Sequence, residues 1–189
     1  MRDRPISPLE WQPPLRRTVR RRRLVLIAGG LGLALLGLAA RLDQGVRPAP
    51  RIVWNASASA PIGFWHIHPD VPIHTGDMVL AHTPASVRQL AARRRYIPAN
   101  VPLLKRVAAQ DGDSVCALGK RIFIDGRRAA VRRAVDPHGR PLPWWSGCEH
   151  LRGGRFFLLM DAPDSFDSRY FGPVDEAAII GRATPLWLR

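Results

Sequence analysis

Four consecutive arginines, Arg20 to Arg23, lead directly into seventeen residues, Leu24 to Ala40, that carry no charge. As a helix this run is about 25 Å long, short but sufficient to cross a bilayer core with some thinning and snorkelling. Four glycines (29, 30, 32 and 37) argue against a helix in water and are common in membrane helices. Residues 1–23 hold eight arginines against Asp3 and Glu10, a net +6 of the chain's +14. The positive-inside rule then leaves residues 1–23 in the cytoplasm and carries residues 41–189 across the membrane. Leu38-Ala39-Ala40 resembles a cleavage site for a signal peptide, but the charged lead-in and the apolar run are both long for one. The expectation is a retained anchor over 24–40. Arg21-Arg22 as a twin-arginine signal is a cheap match within four arginines.

Beyond a linker at Leu42 to Pro50, the hydrophobic runs are short and mostly extended. Ile52 to Trp54, Gly63 to Ile67, Asp77 to His82, Pro102 to Ala108, Ser114 to Leu118, Arg121 to Asp125, Arg155 to Met160 and Ala178 to Leu188 read as strands. Eighteen prolines and sixteen glycines punctuate the chain and exclude a helical bundle or coiled coil. Gly112-Asp113 and Asp125-Gly126 mark tight turns. Only Pro84 to Arg95 reads as a helix. The exported part, 41–189, is therefore expected to be a mainly β domain, with 113–155 as a candidate smaller β subdomain. An exported domain makes a Cys116–Cys148 disulfide the expectation, closing a loop worth roughly 3–4 kcal/mol. Free buried thiols are the alternative.

The basic residues are almost all arginine: 27, against Lys105 and Lys120. Arginine stays protonated, whereas a buried lysine can lose its proton and act as a base. Lys120 lies in a turn between Gly119 and Arg121 and is expected in solvent. Lys105 lies in Leu103-Leu104-Lys105-Arg106-Val107, where a period of two sets it on one face with Leu103 and Val107. A desolvated lysine is what a serine–lysine dyad needs, yet on pattern alone such a lysine more commonly snorkels to the surface. Ser57 and Ser59 lie two apart in Asn55-Ala56-Ser57-Ala58-Ser59-Ala60-Pro61-Ile62-Gly63. That stretch can expose a hydroxyl and free N–H groups for an oxyanion hole, or it is simply a small-residue loop. Asp167 and Arg169, in Asp164-Ser165-Phe166-Asp167-Ser168-Arg169, can pair side by side if extended, and a surface pair there would be worth little.

In this order, the three features resemble the type I signal peptidase family of membrane-anchored serine–lysine proteases, in particular its TraF-type conjugative-transfer branch. Ser59, Pro61 and Gly63 are similar to that branch's S-x-P-x-G motif. Leu103 to Val107, followed by Gly112-Asp113, resembles the general-base box, and Asp164 to Gly172 the final box. Ser59 and Lys105 are 46 residues apart, and Lys105 and Ser165 are 60 apart. Ala60 stands where general signal peptidases often carry methionine, which favours the TraF-like branch. Met160-Asp161-Ala162 replaces the family's usual Gly-Asp-Asn run.

The resemblance implies an antiparallel β-sheet catalytic domain behind one N-terminal transmembrane helix. It implies Ser59 as nucleophile and Lys105 as general base, with the Ser59 N–H and the Ser57 hydroxyl as the oxyanion hole. Ser165 would orient the Lys105 amine, and Asp167 and Arg169 would form a structural pair. The implied function is a serine endopeptidase of the bacterial inner membrane. It would be single-pass, with a cytoplasmic N-terminus and a periplasmic catalytic domain. Its partners would be the lipid bilayer and a membrane-bound, pilin-like preprotein of a conjugative type IV secretion system. The acyl-enzyme could pass to water or, by transpeptidation, to a substrate amine. No cofactor is called for. A metal at His66, His68, His74 or His82 is not expected, because no acidic or cysteine pattern accompanies them. Nucleic acid is not an expected partner despite Arg93-Arg94-Arg95, which reads as a solvated loop. The alternative reading is a non-catalytic, membrane-anchored assembly factor of the transfer apparatus.

Overall fold

The computed structural model describes residues 26–32 and 49–189. Residues 26–32 are helical (α1), with Leu26, Ile27 and Leu31 largely exposed. The remainder of the expected anchor over 24–40 and the basic segment 1–23 lie outside the described residues. Among those described, no helix is long and apolar enough to cross a membrane. The chain divides into two units, Met1–Pro48 and Ala49–Arg189.

The second unit is built on two antiparallel sheets. Its strands are β1 (Ile52–Asn55), β2 (Gly63–His68), β3 (Met78–Ala81), β4 (Leu103–Ala109), β5 (Ser114–Leu118) and β6 (Arg121–Ile124). They continue with β7 (Arg127–Val131), β8 (Gly147–His150), β9 (Arg155–Leu159), β10 (Val174–Asp175) and β11 (Ile179–Leu188). The larger sheet has the order β1-β2-β11-β3-β4-β9-β10 and the smaller β7-β6-β5-β8. Helix α2 (Ala85–Arg93) lies between β3 and β4, and α3 (Ser168–Phe171) between β9 and β10. The mainly β, antiparallel class expected from the sequence is the class observed.

Alternation explains the core. β2 buries Gly63, Trp65 and Ile67 and turns Phe64, His66 and His68 outward. Trp65 and Ile67 join Ala60, Leu80, Leu104 and Met160 in one cluster. Val79, Ala81, Val107, Phe156 and Leu158 form another, and Val115, Ala117, Ile122 and Phe157 belong to a third. β4 runs between β3 and β9, with Lys105 opposite Val79. The face expected for Lys105 is the one observed: Val79 and Val107 both lie in the second cluster.

β7, β8 and β10 escaped the sequence reading. β7 and β8 are the edges of the smaller sheet and mostly exposed, so no hydrophobic alternation marks them. β7 pairs with β6 because Asp125 and Gly126, with φ of 48° and 74°, make the tight turn. β8 is joined to β5 by the expected disulfide, Cys116 and Cys148 being direct register partners.

Candidate active site

β1 delivers the chain into the loop Ala56 to Ile62, and one side chain organises that loop. Asn55 Nδ2 donates to the carbonyls of Ser57 at 3.0 Å, Ala60 at 3.1 Å and Pro61 at 2.9 Å. Its Oδ1 accepts the Ser57 N–H at 3.1 Å. Asparagine suits this because its amide can serve donors and acceptors of a turn at once. Gly63 ends the loop where any Cβ would fall 2.1 Å from the Trp187 carbonyl oxygen, and its φ of 151° also favours glycine. The glycine of the S-x-P-x-G pattern therefore has a packing cause: β2 starts hard against the end of β11.

The loop holds Ser59 over β4. Ser59 Oγ is 3.1 Å from Lys105 Nζ, and Ser165 Oγ is 2.8 Å from the same nitrogen. Ser57 Oγ lies 3.0 Å from Ser59 Oγ and accepts the Ser59 N–H at 3.3 Å. Lys105 is 3% exposed. Burial pushes its amine down from 10.5 to about 8, with Asp167 opposing and Arg169 reinforcing the shift. Lys120, the other lysine, is exposed as expected.

The Ser165 segment is fixed by the ion pair of Asp167 and Arg169, the pairing the resemblance implied. Asp167 is itself extended, but Arg169 lies in α3, so the two do not share one face of an extended segment. Asp167 caps the N-terminus of α3, accepting the Arg169 N–H at 3.2 Å. It also binds the guanidinium through Nε at 2.8 Å and Nη2 at 3.0 Å. Both residues are buried, so this is no surface pair. Asp167 Oδ2 accepts the Met160 N–H at 3.1 Å, and Arg169 donates to the Met160 and Pro163 carbonyls. Gly172, with φ of 78°, closes the helix by donating to the Ser168 carbonyl at 2.9 Å. The result is a rigid corner with Ser165 on its approach.

These groups open into a cleft of about 790 Å³ containing Ser57, Ser59, Lys105 and Ser165 and lined mainly by apolar side chains. Sequence reasoning missed Asn55, although the residue belongs to the segment that carries Ser57 and Ser59; an Asx residue opening a turn was the available signal. It also missed Tyr96 and Asp136, which line the cleft from segments that no motif marks. Arg94, read as part of a solvated loop, donates to the Pro141 carbonyl at 2.5 Å. His66 and His68 pack edge to face on β2, and His68 Nε2 lies 3.0 Å from Thr184 Oγ1. Among the described residues, no three His, Cys, Asp or Glu side chains converge on a common point.

Comparison with known proteins matches residues 24–188 to the family described as signal peptidase, peptidase S26. A conjugal transfer protein TraF of Agrobacterium fabrum is 31% identical over 167 residues, covering 83% of this chain and 93% of that protein. A plasmid transfer protein TraF of Escherichia coli is 33% identical over 177 residues, covering 87% and 94%. Among solved structures, a signal peptidase I from Enterococcus faecalis V583 aligns with a TM-score of 0.36 at 21% identity, covering 60% of this chain and 98% of that one.

Proposed function

The chain belongs to the peptidase S26 signal peptidase family, and on that premise we propose that it is a membrane-anchored serine endopeptidase working through a Ser59–Lys105 dyad. The observation that carries this reading is the 3.1 Å approach of a buried lysine amine to a serine hydroxyl. A lysine held near 8 is partly neutral at physiological pH and can accept a proton. Ser165 supplies the second contact that orients the amine.

In the proposed reaction, Ser59 Oγ attacks a peptide carbonyl while Lys105 Nζ takes the hydroxyl proton. The new oxyanion lies against the Ser59 N–H and the Ser57 hydroxyl, so the Ser57–Ser59 contact must open as substrate enters. The C–N bond breaks with the lysine proton passing to the leaving amine, giving an acyl-enzyme. Water, deprotonated by the same lysine, then releases the acid and regenerates Ser59.

Similarity to TraF proteins of conjugal and plasmid transfer supports a place in a conjugative transfer apparatus, and the substrates proposed are exported, pilin-like preproteins of that apparatus. A bilayer location is supported by the uncharged run 24–40 behind four arginines. It is also supported by exposed Trp54, Phe64 and Trp187, whose ring centroids lie 4.8–6.4 Å apart. The orientation proposed is a cytoplasmic N-terminus and a periplasmic catalytic domain, and anchoring would confine enzyme and preprotein to one surface. The deciding experiment reconstitutes the full chain with a membrane-embedded pilin-like precursor. Ser59→Ala, Lys105→Ala and Lys105→Arg should all abolish processing. Processing by the two alanine variants at the wild-type rate would overturn the dyad, no processing by the wild type would favour the assembly-factor reading, and activity in Lys105→Arg alone would overturn the general-base role.

A further inference from the structure

The smaller sheet carries a second concave site, which shares no residue with the cleft around Ser59 and Lys105. Asp125 and Gly126 turn the chain between β6 and β7, and an open depression of about 530 Å³ lies beside that turn. Ala108, Ile124, Asp125, Arg127, Arg128 and Ala129 line it. The register explains why these side chains meet. Ala130 pairs with Ile122 and Arg128 with Phe123, so Ala129 is left over as a bulge. Strict alternation would send Arg128 and Ala129 to opposite faces, but around the bulge both line one depression. The same bulge interrupts the open side of an edge strand, which disfavours docking by addition of a further strand. Recognition here would run through side chains.

The charges at this hairpin do not cancel. Lys120, Arg121, Arg127 and Arg128 are all exposed, and among the described residues none of them pairs with a carboxylate. Elsewhere in the same unit Arg106, Arg133, Arg140, Arg155 and Arg169 each have such a partner. The one carboxylate in the lining, Asp125, accepts the Ser114 N–H at 2.8 Å. Residues 120–128 therefore carry four cations against one anion.

The floor between the cations is apolar. Ala108 and Ile124 pack against the core cluster of Val115, Ala117 and Ile122. On the outer face Leu118 and Val131, 56% and 52% exposed, flank Arg121 in the register. Clustered like charges repel, and a ligand bearing carboxylates relieves that repulsion. One exposed ion pair is worth little, so binding requires several carboxylates together with apolar contact. Nucleic acid is the other polyanion, but single strands gain from aromatic rings on which bases stack. The exposed apolar groups here are aliphatic, and Phe123, the one ring of the hairpin, is half-buried.

We infer that the β6–β7 hairpin is a docking surface for an acidic, partly apolar peptide segment of a partner protein. Its carboxylates meet Arg121, Arg127 and Arg128, and one apolar side chain enters the depression. This function is separate from the peptidase reading and does not depend on the dyad. Three labelled decapeptides test it by anisotropy on full-length Ser59→Ala in detergent micelles. In the first, glutamate alternates with leucine; the second has glutamine for glutamate, and the third serine for leucine. The first should bind about tenfold tighter than either of the others. It should weaken about tenfold between about 50 mM and about 500 mM salt, as screening of exposed charges requires. Arg127→Glu combined with Arg128→Glu should abolish its binding and instead take up a lysine–leucine decapeptide. Both side chains are exposed, so the melting temperature should not change. Equal binding of the glutamine or the serine peptide overturns the docking surface. Binding of the glutamate–leucine peptide that survives the double reversal also overturns it, because that binding belongs to the cleft or the micelle. A single-stranded decanucleotide that binds more tightly than the peptide, and is lost in the same double variant, would make the face a nucleic-acid site instead.

Discussion

Lys105 is a lysine that a central strand has taken out of water, and its protonation should govern both rate and stability. If it acts as the base, kcat/KM should rise with pH through a midpoint near 8, the value burial imposes. A profile flat between pH 6 and 9 would contradict that role. The stability effect has a definite sign. The folded amine, near 8, binds its proton more weakly than the unfolded one, at 10.5. Stability therefore rises with pH between those values and is lowest, for this group, below 8. Lys105→Met should then be more stable than wild type at pH 7, with the difference shrinking towards pH 10.5; denaturant titrations at both pH values measure it. Asn55 acts at one remove. Asn55→Ala should lower kcat about 100-fold with little change in KM, because the loop would no longer hold Ser59 to within about 1 Å. Asn55→Asp should be as poor, since a carboxylate would face three carbonyl oxygens.

At the level of elements, the site depends on how the smaller sheet grips the corner at α3. Arg132, in the segment following β7, is 1% exposed and, among the described residues, has no carboxylate partner. It donates to the Gly119, Trp145 and Arg169 carbonyls and lies 3.6 Å from the Trp144 ring centroid. Trp145 Nε1 returns a bond to the Ser168 carbonyl at 3.1 Å. Arg132→Met would leave three carbonyls short of a donor and should cost a few kcal/mol in chemical denaturation. Asp167→Asn should cost about 3–5 kcal/mol, because it strands the buried Arg169 guanidinium. Replacing Cys116 and Cys148 by serine should cost roughly 3–4 kcal/mol, the loop entropy released by the lost cross-link. The disulfide and the Asp167–Arg169 pairing were legible beforehand, and the Arg132 contacts were not. The strands with clear alternation, such as β2 and β4, could be read from sequence, whereas β7 and β8 could not, because an edge strand in water has no buried face to impose a pattern.

For the second unit as a whole, the exposed Trp54, Phe64 and Trp187 form one apolar patch. Trp54 lines the cleft and also packs against Phe64 and Trp187, so the apolar patch and the candidate site adjoin. Ile52, Leu186 and Leu188 extend the exposed apolar surface along the same three strands. If that patch lies at the lipid boundary, tryptophan fluorescence of the reconstituted full chain should be quenched by lipids brominated on their acyl chains. Trp54→Phe with Trp187→Phe should lose most of that quenching. Unchanged quenching would detach the patch from the bilayer.

Charge and hydropathy along the chain determined the expected anchor and its orientation, because those depend on a linear run of residues and its flanks. Period-two patterns determined the class of the fold and put Lys105 on an apolar face. They could not decide whether that lysine snorkels or stays buried. Only the packing of β3, β4 and β9, with Ser59 and Ser165 closing over the amine, made that decision. The same holds for Asp167 and Arg169: a spacing of two fits a weak surface pair, and tertiary burial made it a helix cap with a desolvated ion pair. The Tyr96–Asp136 contact at the cleft left no sequence signal, since the two residues meet across 40 residues through a turn and a loop. Local pattern is set by chain neighbours, whereas desolvation is set by whatever the fold brings from far away, and the chemistry proposed here depends on desolvation.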